Sequence, residues 1–412
     1  MGKKAVIKNI VALGLAQFIS KILLFTFTVF VARYLKEAGF GQYSLIVTIV
    51  GFFNLFTDFG LGTIVFREVS KDYSQADKYF TNVSIIRMCL ALISFIFLCL
   101  TVNILGYSSN IKAAACIYGI TLLTTNIIEL ANSIFRAFEK MEYMAILMIV
   151  LNALILSIGM IVLKSGYGLL VLVAGTVSAG IVTVFLSYVF SIGKFTLNIS
   201  LFDIKFCISL LKTCFPFMLL GFVGVVYFRI DIVLLSKIKG DHDVGLYTAA
   251  YKLMDAFMII SNSIISAVFP YISRYYESSF EKLSSLFKKL SISLFFLGLI
   301  MSMIVFIFAK PMIMALFGPL YMPSVQPLKI LIWTVPLIYM NAVLLYTLIA
   351  ADLQHNIVMA ISIIALLNFL LNIVVIPKYG YIGSSYVTVL SELIIFVSYS
   401  ILVKKKVALS IL

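Results

Sequence analysis

Charge is what this 412-residue chain has least of. Asp, Glu, Lys and Arg make up 12% of it, about half of the roughly 25% usual in soluble domains, and that shortage excludes a water-soluble globule. Histidine is scarcer still. His242 and His355 fall in loops expected on opposite faces, so no metal centre or catalytic base constellation takes shape. No catalytic residue, metal ligand or cofactor is assigned. The five cysteines (Cys89, Cys99, Cys116, Cys207, Cys214) contain no C-x-x-C pair, are odd in number and sit in or beside apolar runs, so they read as small core residues. No cleavable leader is expected either. The start MGKKAVIKNIVALGLAQFISKILLF is basic, but Lys21 interrupts its apolar stretch and no small-residue cleavage site follows, which makes it a retained first helix. Val6 stands where a myristoylation signal requires Ser or Thr.

What the chain has in abundance is hydrocarbon. Hydrophobic residues make up 63% and the mean hydropathy is +1.14. Crossing ~30 Å of hydrocarbon takes ~20 apolar residues, and such runs follow one another here with short polar breaks, leaving no room for a soluble domain. The sequence predicts an all-α polytopic membrane protein of about twelve helices, near 9–32, 42–66, 80–104, 113–135, 143–163, 168–192, 207–236, 244–273, 289–309, 327–350, 357–376 and 380–403. The net charge of +14 is scattered over short connections rather than gathered on a stripe, which argues against nucleic acid as a partner. It orients the chain instead. With the termini inside, inner segments hold eighteen Lys/Arg and outer segments eight, so both termini are expected in the cytoplasm.

The chain also repeats itself. AGFGQYSLIVTIVGFFNLFTDFG from Ala38 lies over HDVGLYTAAYKLMDAFMIISNSI from His242, matching Gly41-x-Tyr43 to Gly245-x-Tyr247 at a shift of 204. Lys164-Ser-Gly166-Tyr167 matches Lys378-Tyr-Gly380-Tyr381 at a shift of 214. The expected domains are an N-terminal six-helix bundle with linker (1–205) and a C-terminal six-helix bundle (206–412), related by a parallel pseudo-twofold repeat because six crossings return the chain to the same side. Duplication of this kind most often serves alternating access, with substrate held between the halves. The linker KFTLNISLFDIKFCISLLK, residues 194–212, reads either as an amphipathic segment on the inner surface or as an ordinary positive-inside loop.

Nine charges fall within the spans: Lys21, Arg87, Arg229 and Lys252 against Asp58, Glu129, Asp231, Asp255 and Glu392. Each would cost roughly 2.5–3.5 kcal/mol in lipid, so each is expected to face a cavity or a partner. Arg229 and Asp231, two apart on one helix, point to different sides and cannot neutralise each other. Arg229 reads as cavity lining, suited to phosphate by its planar fork, and Asp231 as the partner of a neighbouring cation. Lys252 and Asp255, three apart, are expected to bridge within one turn. Lys21 reads either way. Glu129 and Glu392 lack a cation nearby in sequence and read either as proton carriers or as neutral helix contacts. Asp58 with Gly60 and Gly62 signals a loosened helix or close packing. Asn368 and Asn372, one turn apart, are expected to bridge helices. Arg67 and Arg136 at cytoplasmic ends are explained by orientation and headgroups.

Several of these stretches resemble the polysaccharide flippases of the multidrug/oligosaccharidyl-lipid/polysaccharide exporter superfamily. The similar stretches are Gly39-Phe-Gly41-Gln-Tyr43-Ser, Thr57-Asp58-Phe59-Gly60-Leu61-Gly62 with Arg67-Glu68, and Arg136-Ala-Phe-Glu139-Lys140. In the second half they are Asp231-Ile-Val-Leu-Leu-Ser, Asp243-Val-Gly245-Leu-Tyr247-Thr-Ala-Ala250-Tyr251-Lys252 and Pro377-x-x-Gly380-x-x-Gly383. The resemblance covers nearly the whole chain. It implies a V-shaped pair of bundles that moves a polyprenyl-diphosphate-linked oligosaccharide among membrane lipids from the cytoplasmic to the outer leaflet of the cell membrane, coupled to a proton or sodium ion. It further implies Lys21, Arg229 and Lys252 as phosphate-facing cations and Asp58, Asp231, Asp255 and Glu392 as tuning or ion-coupling groups. The near balance of cations and anions in the spans departs from the strongly cationic cavity of such flippases. A cation-coupled multidrug antiporter of the same superfamily is the rival reading, with Asp58, Asp231 and Glu392 as its actors. A membrane polysaccharide polymerase or ligase is the rival from another class, opposed by outer connections as short as YLKEAG and KIKGDHD.

Overall fold

A computed structural model describes residues 3–409. Among the described residues there are only helices and short 3-10 turns, as lipid demands, since a helix satisfies every backbone polar group within its own segment. In order they are α1 (Lys3–Asp58), α2 (Leu61–Lys71), α3 (Ala76–Ile104), α4 (Ser109–Gly119), α5 (Thr121–Ala137), α6 (Met141–Lys164), α7 (Leu169–Ser191), α8 (Ile204–Lys239), α9 (Asp241–Ser278), α10 (Phe280–Leu316), α11 (Val325–Leu331), α12 (Thr334–Ala350) and α13 (Gln354–Lys406). Eight continuous stretches are long and apolar enough to cross a bilayer, and two bent pairs raise the number to 10. One of these bends, of 53°, falls in α8 after Pro216, where a proline removes a backbone donor and crowds the preceding turn. Two of the eight are too long for one crossing. α1 leaves helical geometry at Lys36 and α13 at Gly380, so each holds two spans, and the twelve expected crossings are all present.

The duplication is written into the backbone. Among the described residues twelve positions adopt positive φ, and ten of them pair across the two halves. Lys36 pairs with Gly240 (240 − 36 = 204), Gly106 with Gly318, Glu139 with Asp352, Gly166 with Gly380, and Gly193 with Ala408. The order is kept and the shift grows steadily, through 212, 213 and 214 to 215. Positive φ is costly for residues with a Cβ, so five such coincidences mark bends that the repeat inherits. The two unpaired positions, Phe59 and Gly60, break the helix after Asp58.

The chain forms two compact units, Met1–Leu35 with Ile46–Phe222, and Lys36–Leu45 with Val223–Leu412. Their boundary therefore lies inside α8 rather than at the expected 205/206, and residues 36–45 of the first half pack in the second unit. Hydrogen bonding explains the first difference. The Asn82 side chain on α3 donates to the Leu201 carbonyl (2.9 Å) and accepts from the Asp203 N–H (2.8 Å). Thr81 and Asp77 accept from the N–H groups of Asn198 (3.0 Å) and Thr196 (2.7 Å). Cys207, Leu210 and Cys214, the first arm of α8, share one apolar cluster with Val83, Ile134 and Phe135. The linker is thus docked on α3. Asn82→Ala, by deleting the buried side chain that bridges the Leu201 carbonyl and the Asp203 N–H, is expected to cost about 1 kcal/mol, read as earlier heat aggregation of the purified protein. An unchanged aggregation temperature would show the linker to be held otherwise.

Glycine explains the second difference. A Cβ at Gly41 would collide with the Asp241 carbonyl, and a Cβ at Gly245 would collide with the Glu37 carbonyl. Glu37 and Asp241 stand at the same shift of 204 as the two glycines, so the first turn of each copy rests on its counterpart. Gln42 Nε2 adds a bond to Asp241 Oδ2 (3.1 Å), and the buried Phe40 ring meets Tyr321 edge-on.

Candidate functional site

In the first unit the charges gather where α1 ends. Gly60 and Phe59 turn the chain out of helical geometry, and Asp58 accepts from the Gly60 N–H (3.3 Å). Across from it, on α3, Arg87 is 2% exposed. Its Nη2 donates to Asp58 Oδ1 and its Nη1 to the Asn126 carbonyl (3.1 Å) on α5. Nε has no partner among the described residues. A Cβ on Gly62 would come within 3.1 Å of the guanidinium and 2.9 Å of Ser133 Oγ, so that glycine is a packing requirement. The FTDFGLG signal therefore combines both expectations, a broken helix at Gly60 and close packing at Gly62. Asp58, Arg87, Glu129, Asn132 and Arg136 border a polar cavity of about 280 Å³. Arg136 also stacks on Phe66, its Cζ 4.3 Å from the ring centre. Sequence spacing points neither Arg87 nor Glu129 to this cavity: Asp58, the partner of Arg87, lies 29 residues away, beyond any local rule.

Lys21 lies elsewhere in the same unit. It is exposed and borders a cavity of about 430 Å³ with Gln17, Ser20, Leu24, Met148 and Asn152, between α1 and α6. It makes no salt bridge among the described residues.

In the second unit Arg229 Nη2 donates to Asp255 Oδ2 at 3.0 Å, and its guanidinium lies 5.0 Å over the Tyr251 ring. The expected Lys252–Asp255 bridge is absent: Asp255 takes Arg229 from the neighbouring helix, because the delocalised, weakly hydrated guanidinium loses less on desolvation than an ammonium. Among the described residues Lys252 has no carboxylate at ion-pair distance. Asp231 does find a separate partner, but that partner is a hydroxyl and not the expected cation. It accepts from Tyr247 Oη (2.5 Å) and the Ile232 N–H (2.8 Å), and Tyr247 Oη lies 3.3 Å from Thr388 Oγ1.

Glu392, one turn beyond Thr388, accepts from Tyr227 Oη (2.8 Å) and Asn341 Nδ2 (2.8 Å). Tyr227 and Asp231 are likewise one turn apart on α8, so two buried carboxyls stand as two rungs between α8 and α13. Asn368 Nδ2 donates to Ser391 Oγ (2.9 Å), and Asn372 Nδ2 to the Asn368 carbonyl (3.0 Å), which ties together the two arms of α13. No group of three or more His, Cys, Asp or Glu comes together among the described residues.

Two six-helix repeats with charges buried in their spans define a polytopic membrane protein of duplicated helical architecture. A multidrug resistance MATE family transporter of the MOP superfamily matches at TM-score 0.77 and 13% identity, over 97% of this chain and 99% of that one. The lipid II flippase MurJ matches at TM-score 0.79 and 19% identity, over 96% and 88%. The chain belongs to the polysaccharide biosynthesis protein family, whose profile matches residues 6–276. The capsular polysaccharide biosynthesis protein CapF of Staphylococcus aureus is 22% identical over 95% of this chain and 98% of its own length.

Proposed function

We propose that this protein carries a polyprenyl-diphosphate-linked oligosaccharide across the cell membrane, from the cytoplasmic to the outer leaflet, by alternating access and without covalent chemistry. Family membership carries this reading. Both termini lie in the cytoplasm by the bias of Lys and Arg between inner and outer segments.

The interior chemistry supports it. A diphosphate leaving water needs cations, and Lys21 and Lys252 have no salt bridge among the described residues. Arg229 spends one amine on Asp255, while guanidinium carries five donors, so a phosphate can be gripped without breaking the pair. Asp255 tunes Arg229, and Asp58 tunes Arg87, a cation that joins the three implied by the motifs. Asp231 and Glu392 are the seats of coupling. Protonating Glu392 turns an acceptor of two hydrogen bonds into a donor, which releases Tyr227 or Asn341 and lets the contact of α8 and α12 with α13 rearrange. Sodium is the rival coupling ion.

In reconstituted vesicles, or in a strain lacking its own flippase, Arg229→Ala at normal membrane abundance is expected to lower transfer roughly 10- to 100-fold, the worth of a charge-assisted hydrogen bond of about 1.5–3 kcal/mol. Full activity would remove the phosphate role. Cation-driven drug export abolished by Asp231→Asn, with lipid-linked glycan transfer absent in the unaltered protein, would establish an antiporter instead.

A further inference from the structure

Two of the cysteines meet. Cys99, on the last turns of α3, has its Sγ 2.8 Å from the Sγ of Cys116 on α4, 17 residues along the chain. That separation is only about 0.8 Å longer than a disulfide bond. The approach is built by the helices. Gly119, three residues beyond Cys116 on the same face of α4, faces Leu98 and Phe95 of α3, where a Cβ would stand 2.5 Å and 3.1 Å away. The missing side chain draws α4 against α3 at the level of the sulfurs. Asn103 Nδ2, one turn further, donates to the Cys99 carbonyl (2.8 Å). Both thiols are partly exposed, so a small oxidant in the bilayer can reach them. Among the described residues the other three have no thiol neighbour: Cys89 is exposed, Cys214 is buried, and Cys207 lies against Asn82 Oδ1 (3.3 Å).

We propose that Cys99 and Cys116 are a redox site that forms an intramolecular disulfide joining α3 to α4. It goes beyond the reading of both as small core residues and does not depend on the proposed transport function. The oxidant is a quinone dissolved in the membrane. Two S–H bonds break, one S–S bond forms, and two electrons with two protons pass to the quinone, giving the quinol. A thiol reductant reverses the step. Closing the pair fixes α4 against the helix that carries Arg87.

The test uses the full chain in lipid nanodiscs, treated with a soluble quinone or with a reductant, then denatured, alkylated and mapped by peptide mass. All five cysteines are expected to be alkylated after reduction. After the quinone only Cys89, Cys207 and Cys214 are, with one new peptide joining Cys99 to Cys116 and lighter by two hydrogen atoms. In Cys99→Ser and Cys116→Ser the remaining four are expected to stay alkylatable under both conditions. Five alkylated thiols after quinone, a link to any other cysteine, or a disulfide between two copies of the chain would each overturn the proposal.

Discussion

Arg87→Ala is expected to cost about 3 kcal/mol of stability, the lower end of the ~3–5 kcal/mol lost when one member of a buried ion pair is removed. The lower end applies because the Asp58 side chain is 39% exposed and so keeps some water when its partner leaves. The loss has two parts: Asp58 loses its countercharge, and the Asn126 carbonyl loses its donor. Heat-induced loss of monodisperse protein, followed by size exclusion, measures it. Arg87→Lys is expected to fall between, since one ammonium cannot span both Asp58 and Asn126 in the fixed geometry of the fork. Asp58→Asn combined with Arg87→Leu is expected to recover part of the loss, because an apolar or neutral replacement of both partners removes the stranded charge. Equal stability of Arg87→Ala and the unaltered protein would show that the pair adds nothing.

Gly245→Val is expected to be the most damaging substitution on an uncharged position, with Gly41→Val close behind. Each added Cβ runs into a backbone carbonyl, of Glu37 for Gly245 and of Asp241 for Gly41. A carbonyl cannot swing aside as a side chain can, so the two first turns must separate, at about 1–3 kcal/mol or more. Separation also strips Gln42 from Asp241. Limited proteolysis near residues 36–45 is the direct readout, with cleavage accelerated in both variants. Gly224→Val serves as the control, because a Cβ there meets nothing within 4 Å. Cleavage at the same rate in Gly245→Val and Gly224→Val would refute the close-contact account.

What the sequence made legible was set by range. Span count, repeat and register followed from apolar runs and from a few glycine and tyrosine positions, because those signals lie within a helix length or recur at a constant shift. Even the bend shared by Gly166 and Gly380 was visible, as the second matched motif. The ion pairs were not. Spacing alone offered Lys252 to Asp255, three residues away, and that local rule lost to Arg229, 26 residues away on another helix. Glu392 and Tyr227 are 165 residues apart, and nothing in a single chain of letters marks them as neighbours. Buried charges announce that a partner exists; which partner it is depends on how helices pack.

The uneven shift between the paired bends has a consequence of its own. From Lys36 to Gly106 and from Gly240 to Gly318 the offset rises from 204 to 212, so eight of the eleven residues gained by the later copy are confined to one hairpin. The second leg holds the difference: α10 has 37 residues where its counterpart α3 has 29, about two helical turns more, roughly 12 Å. That hairpin is α9 with α10, of 38 and 37 residues, well beyond the ~20 that hydrocarbon requires. Its turn carries Arg274, Lys282, Lys288 and Lys289 against Glu277 and Glu281, with Phe280 half-exposed near its tip. The two copies thus differ most in the reach of one hairpin, so the duplication does not make the halves interchangeable.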